Sequence, residues 1–91
     1  MYKIIDTRGT GKTSRLMLIA KENDALFVCA NPASMRQKAY SYGITGIEFV
    51  SYDDIINYAH PEQKIVIDEL DCFVNHIISG VQFIGYTVSK D

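Results

Sequence analysis

The sequence predicts an α/β fold, a three-layer α/β/α sandwich in which helices cover both faces of a five-stranded, mainly parallel sheet. Short apolar runs alternate along the chain with longer segments whose apolar residues recur at helical spacing. The order of these segments is β-α-β-α-β-α-β-α-β, and such alternation implies a parallel sheet with helices on both faces. With 91 residues, the chain is long enough for one domain, which we expect to span 1–91.

The first predicted strand and helix lie on either side of a glycine-rich turn. Residues 2–6 form a short apolar run, and the turn that follows, 8–11, contains two glycines. Apolar residues then recur at helical spacing, which predicts a helix over 13–23. The next run, 25–29, is apolar throughout, as expected for a strand that is covered on both faces.

Capping signals predict where the next two helices begin and end. The Asn-Pro pair at 31–32 predicts the start of a helix that runs up to Gly43. A third strand is predicted at 47–50. Ser51 follows it and resembles the first residue of a capping box, so a helix begins there. That helix must end before Pro61.

The remaining part of the chain predicts two more strands with a short helix between them. The strands are 64–68 and 81–88, and the helix is 71–79. Because the carboxyl ends of parallel strands lie at one edge of a sheet, where ligands bind, the loops after Asp6 and Asp68 should both lie at that edge.

Charge and composition exclude several classes of protein. The formal net charge is −2, whereas a non-specific nucleic-acid binder would be basic. The charge is uneven, because residues 1–38 carry +4 and residues 39–91 carry −6. No apolar run approaches the ~18 residues of a membrane span. The absence of a signal peptide and the two cysteines without a CxxC spacing favour a cytoplasmic protein.

The turn between the first strand and helix carries a phosphate-binding pattern. Gly11, Lys12 and Thr13 match the end of G-x-x-x-x-G-K-[ST], while Asp6 replaces its first glycine. Backbone N–H groups at such a turn wrap phosphate oxygens, the lysine reaches the outer phosphates, and the threonine hydroxyl can ligate Mg²⁺. The predicted nucleotide-binding residues are Arg8, Gly9, Thr10, Gly11, Lys12, Thr13 and Ser14.

An acidic pair follows the fourth predicted strand. Asp68 would emerge at the carboxyl end of this strand, where it could hold Mg²⁺ together with Thr13. Glu69 is placed to orient or deprotonate a water molecule that attacks the terminal phosphate, so Lys12 and Glu69 are the predicted catalytic residues.

These two motifs, at 6–13 and 65–69, resemble the Walker A and Walker B motifs of the P-loop NTPase superfamily. The Asp-Glu pair is similar to that of its additional-strand, catalytic-glutamate division, which includes helicases and AAA-type ATPases. The whole chain resembles the very small P-loop proteins of bacteriophages that infect Gram-positive bacteria. The resemblance implies a minimal RecA-like domain that binds ATP and Mg²⁺, with Thr87 or Ser89 of the last strand as a candidate γ-phosphate sensor.

The resemblance also implies that a group needed for fast hydrolysis is supplied by another domain or subunit. Related ATPases complete their sites with an arginine from a second domain or subunit, and this chain has no arginine after Arg36. We therefore expect a nucleotide-binding protein whose ATPase activity is weak or depends on a protein partner or on self-association. The alternatives are a non-hydrolysing interaction protein that engages a host or phage replication protein, and a DNA-associated ATPase fragment, against which the acidic balance argues.

Overall fold

The computed structural model describes residues 11–85, 87 and 89, which form four helices and three strands. In chain order they are α1 (Lys12–Asn23), β1 (Leu26–Cys29), α2 (Pro32–Ser41), β2 (Phe49–Ser51), α3 (Tyr52–Tyr58), β3 (Ile65–Ile67) and α4 (Leu70–Ile77). Within these residues no helix has the length and apolar character needed to cross a membrane.

The three strands form a parallel sheet in the order β2-β1-β3. In the register of this sheet, Phe27 of the central strand lies opposite Phe49 on one side and Val66 on the other. Strand β1 is therefore hydrogen-bonded along both of its edges. This placement explains its sequence, because a strand paired on both edges and covered on both faces has no position at which a polar side chain reaches water.

Helices α1 and α2 pack on one face of the sheet. Phe27 and Cys29 of β1 point to this face and are fully buried. Met17 and Ala20 of α1 and Ala39 of α2 lie against them. The Phe27 and Phe49 rings are 5.2 Å apart between their centroids. This face therefore holds the larger of the two apolar clusters.

Helices α3 and α4 pack on the opposite face. Val28 of β1 is buried there together with Tyr52 and Ile55 of α3. From α4, Phe73 packs against this cluster, and its ring lies edge-on to Tyr52 with centroids 5.2 Å apart. No residue of α4 is fully buried, so this helix lies at the margin of the core.

The two predicted helix caps are confirmed. The Asn31 side chain accepts a hydrogen bond from the Ser34 N–H at 3.1 Å, and Pro32 occupies the first helical position of α2. Ser51 accepts one from the Asp54 N–H, also at 3.1 Å. Each bond satisfies one of the N–H groups that a helix start leaves without an internal partner.

The predicted five-stranded, RecA-like sandwich is wrong. The sheet of the described residues has three strands, and a chain of 91 residues is too small for that larger architecture. The predicted strand 2–6 lies outside the described residues. In the predicted strand 81–88, residues 81–85 and 87 form no strand, and Val81 and Ile84 are 51% and 91% exposed. Strand propensity largely reflects packing against neighbours, and these side chains have little such packing.

Candidate functional site

Two segments that are far apart in the sequence meet at the carboxyl edge of the sheet. They are the first turn of α1 and the residues directly after β3. The positive charges of Lys38 and Lys12 and the side chain of Thr13 all act on the carboxylate of Asp68. The N-terminus of a helix, a lysine and an aspartate therefore lie together at the edge where parallel sheets bind ligands.

Gly11 forms the tight turn through which the chain enters α1. Its backbone is left-handed, with φ at +76° and ψ at 20°, and its carbonyl accepts the Arg15 N–H at 3.1 Å. The Ser14 hydroxyl also donates to this carbonyl, at 2.9 Å. A side chain at Gly11 would be strained in this conformation, which glycine adopts without steric cost.

Asp68 is held in place through its backbone. Its N–H donates to the carbonyl of Val28 at 2.9 Å, which continues the pairing of β3 with β1. Its own carbonyl accepts the Tyr52 hydroxyl at 3.1 Å. Burial raises the pKa of Tyr52 to about 12, with nearby acidic groups adding to the effect, so this phenol stays a donor at neutral pH. The carboxylate therefore projects from a backbone fixed on both sides.

The environment of Asp68 disfavours its charged form. Burial raises the pKa of this carboxyl group above its ordinary value, and the neighbouring charge of Glu69 raises it further. Lys38, Lys12 and the Thr13 side chain lower it, but the net shift is upward. A group with too little neutralising charge is a natural place for a cation to bind.

Glu69 has an unusual backbone and a bonded side chain. Its φ is +57°, a left-handed value that few residues other than glycine adopt, and it forms the N-cap of α4 without a side-chain cap. Its carboxylate oxygen Oε2 accepts the thiol of Cys72 at 3.3 Å. Strained backbone of this kind clusters at functional sites, where the surrounding structure must enforce it.

The structure brings together only some of the predicted site residues. Lys12, Thr13 and Ser14 share the first turn of α1, and Asp68 contacts this turn with Glu69 next to it. Arg8, Gly9 and Thr10 lie outside the described residues. The candidate sensors, Thr87 and Ser89, are exposed and belong to no helix or strand.

Sequence reasoning missed three residues that act on this site. Tyr52 fixes the Asp68 carbonyl, Cys72 bonds Glu69, and the charge of Lys38 reaches Asp68 from α2. The position of Tyr52 directly after β2, at the carboxyl edge, is a signal that could have identified it. Cys72 gives no such signal, because its contact depends on the left-handed backbone of Glu69.

Known proteins give no further guide to this site. Comparison with family models, with curated proteins and with solved structures finds no significant match to the chain. Among residues 11–85, 87 and 89, no group of three or more His, Cys, Asp and Glu side chains is arranged to hold a metal ion.

Asp68→Asn should raise the stability of the protein at neutral pH. Because the folded pKa lies above the unfolded value, the folded state binds this proton more tightly. The stability of the wild type therefore falls as pH rises through the two pKa values, and the neutral amide avoids that loss. We expect a gain of about 0.5–2 kcal/mol, the range common for stabilising substitutions, in urea unfolding at pH 7.

The same comparison at low pH separates ionisation from other causes. Near pH 3 the carboxyl group is protonated in both states, so the gain should disappear. Glu62→Gln, at an exposed position, serves as the control and should change stability little at either pH. An equal gain at pH 3 and pH 7 would contradict a charge effect at Asp68.

Proposed function

We propose that this protein binds ATP with Mg²⁺ at the N-terminus of α1 and hydrolyses it weakly or only with a partner. The observation that supports the proposal is that Lys12 and Thr13, in the first turn of α1, both act on the carboxylate of Asp68 at the end of β3. A hydroxyl, a carboxylate and an ammonium group at a helix start are the groups that a magnesium-bound triphosphate needs.

Each of these groups has a defined task in binding. The phosphate oxygens accept N–H groups at the start of α1, where Gly11 leaves the approach free of a side chain. Lys12 neutralises the outer phosphates. The Thr13 hydroxyl would be a ligand of the ion, and the Asp68 carboxylate would hold the ion directly or through water. Few protein ligands are needed, because Mg²⁺ keeps phosphate oxygens and waters around it.

Hydrolysis places a further demand on Glu69. As the general base, its carboxylate must orient a water molecule toward the terminal phosphate, but this carboxylate is bonded to Cys72. The chain has no arginine after Arg36, and an arginine supplied by a partner accelerates such reactions by on the order of 10³–10⁵. The isolated protein should therefore turn ATP over slowly.

Thermal unfolding with and without Mg-ATP tests the binding step directly. Ligand at 100 times its dissociation constant stabilises a protein by ~2.7 kcal/mol. For a domain of this size each kcal/mol shifts the midpoint by roughly 4–8 °C, so binding gives a clear shift. ATP with a chelator in place of Mg²⁺ should give a smaller shift. No shift with millimolar ATP or GTP would contradict the proposal.

A second candidate function is a non-hydrolysing interaction protein. Apolar side chains at the end of α4 favour it, because Ile77 and Ile78 are 54% and 52% exposed, and Val81 beyond them is 51% exposed. Exposed apolar patches often mark protein interfaces. Phosphate release separates the two candidates: turnover that is lost in Lys12→Ala supports an ATPase, and binding without turnover, even with a partner, supports the interaction protein.

A further inference from the structure

A cavity opens between α3 and α4, beside the proposed nucleotide site, with which it shares Tyr52 and Cys72. Its volume is about 420 Å³, within the range of small-molecule sites. Its walls include Tyr52, Asp53, Cys72, Asn75 and His76. It lies at the carboxyl edge of the sheet, where the loops after β1 and β2 lead to helices on opposite faces. Ligands of open α/β sheets bind in such crevices.

Several side chains of this cavity offer hydrogen-bond acceptors, and the Asn75 amide and Ser51 hydroxyl can also donate. The Nε2 atom of His76 lies 2.7 Å from Oδ1 of Asp53. When the imidazole is neutral and Nε2–H donates to Asp53, its Nδ1 atom remains as an acceptor. Asp53 keeps a second carboxylate oxygen, and Asn75 offers an amide oxygen. This set is suited to a ligand that donates several hydrogen bonds.

Packing against an aromatic ring holds the imidazole of His76 in position. The rings of His76 and Tyr52 are 5.6 Å apart between their centroids, and Tyr52 is only 6% exposed. Phe73, three residues earlier on α4, lies edge-on to Tyr52 with centroids 5.2 Å apart. The imidazole therefore packs against the buried ring of Tyr52 while its own side chain is 43% exposed. It can meet a ligand without a large rearrangement of the core.

The charged side chains on and next to the cavity are acidic, apart from His76 when its imidazole is protonated. The hydrogen bond to Glu69 and burial raise the pKa of the Cys72 thiol, and the charge of Asp71 adds to this rise. Asp53 itself lies on the wall, and no lysine or arginine is among the lining residues. Such a field repels phosphates and carboxylates and attracts cations.

We propose that this cavity binds an organic cation with N–H donors, that is, an ammonium or guanidinium group. The N–H groups donate to Asp53, His76 and Asn75, and the carbon stem of the ligand packs on the apolar part of the wall. The cation belongs either to a small amine or to a lysine or arginine side chain of a partner protein. This site goes beyond nucleotide binding and does not depend on it.

Titration of the full chain with a diamine tests the proposal. Butane-1,4-diamine is the probe, and butane-1,4-diol is a neutral control of the same length. In NMR spectra, the diamine should shift the Asn75 side-chain amide and the His76 ring signals in a saturable way, while the diol should not. An equal response to both probes, or no response at tens of millimolar, would overturn the proposal.

Two neighbouring aspartates provide a matched pair of variants. Asp53→Asn removes the wall carboxylate and should weaken diamine binding by about tenfold or more, because hydrogen bonds to charged groups are strong. Asp54→Asn makes the same change one residue away, at an exposed position outside the cavity wall, and should leave affinity nearly unchanged. Equal losses of diamine affinity in the two variants would indicate attraction by the general acidic charge of this surface and would overturn the proposed site.

Another variant and another probe complete the experiment. Asn75→Ala, at an exposed position, should also weaken binding, and it keeps the test decisive if Asp53→Asn fails to fold. A short lysine peptide, compared with its acetyl-lysine form, identifies the source of the cation. Tighter binding of the lysine peptide than of the diamine supports a partner protein, and the reverse order supports a small amine.

Discussion

Lys12→Ala should abolish the stabilisation of the protein by Mg-ATP. The lysine lies in the first turn of α1, and its charge acts on Asp68 at the carboxyl edge of the sheet. Without it, the phosphates lose a cation at the start of α1, while the carboxylates of Asp68 and Glu69 remain beside them. A ligand at 100 times its dissociation constant gives ~2.7 kcal/mol in the wild type. We expect the thermal midpoint of the variant to be nearly the same with and without nucleotide.

The control is a lysine at the other end of the same helix. Lys21 is exposed and lies in the last turn of α1. Lys21→Ala removes a cation that favours the negative end of the helix dipole, at a cost of about 0.3–1 kcal/mol with or without ligand. The shift caused by Mg-ATP should therefore remain. A full shift in Lys12→Ala would exclude Lys12 from the phosphate site.

Local signals explain what the sequence could predict about this fold. Asn31 and Ser51 mark helix starts because their side chains bond N–H groups only three residues away. The apolar runs at 25–29 and 65–67 mark two of the three strands. The central strand β1 is buried along most of its length, as a strand covered on both faces should be, whereas Ile65 of β3 is 40% exposed. Each of these features depends on residues that are close together in the chain.

The number of strands could not be predicted in the same way. Residues 81–88 have the composition of a strand, but strand formation needs a neighbouring edge and a covering layer. Those are properties of the whole structure, and an apolar pattern of period two does not contain them. Val81 and Ile84 accordingly remain exposed.

In the candidate site, too, some features could be predicted from the sequence and others could not. The sequence predicts that Thr13 and Asp68 lie close together, because it places the loops after Asp6 and Asp68 at one edge of a parallel sheet. The left-handed backbone of Glu69 and its contact with Cys72 follow from no such rule. A desolvated Asp68 and a strained Glu69 both oppose folding. Local costs of this kind are expected where a site is selected for binding and not for stability.

Phe27→Ala should have the largest effect on folding. Phe27 is fully buried in the central strand, is paired on both edges, and contacts Phe49 across a centroid distance of 5.2 Å. The truncation removes buried apolar area and leaves a cavity, at a cost of about 3–5 kcal/mol. Small domains are stable by only about 5–15 kcal/mol, so most of the margin would be lost.

Urea unfolding measures this loss, and an exposed aromatic residue provides the control. Tyr40 is 82% exposed on α2, so Tyr40→Ala should change the free energy of unfolding by less than about 0.5 kcal/mol. Phe27→Leu keeps most of the buried volume and should lie between the two variants. If Phe27→Ala cost no more than Tyr40→Ala, the core would not lie between α1, α2 and the central strand. The folded edge on which Thr13 meets Asp68 would then lack its support, because β1 anchors the Asp68 backbone through the carbonyl of Val28.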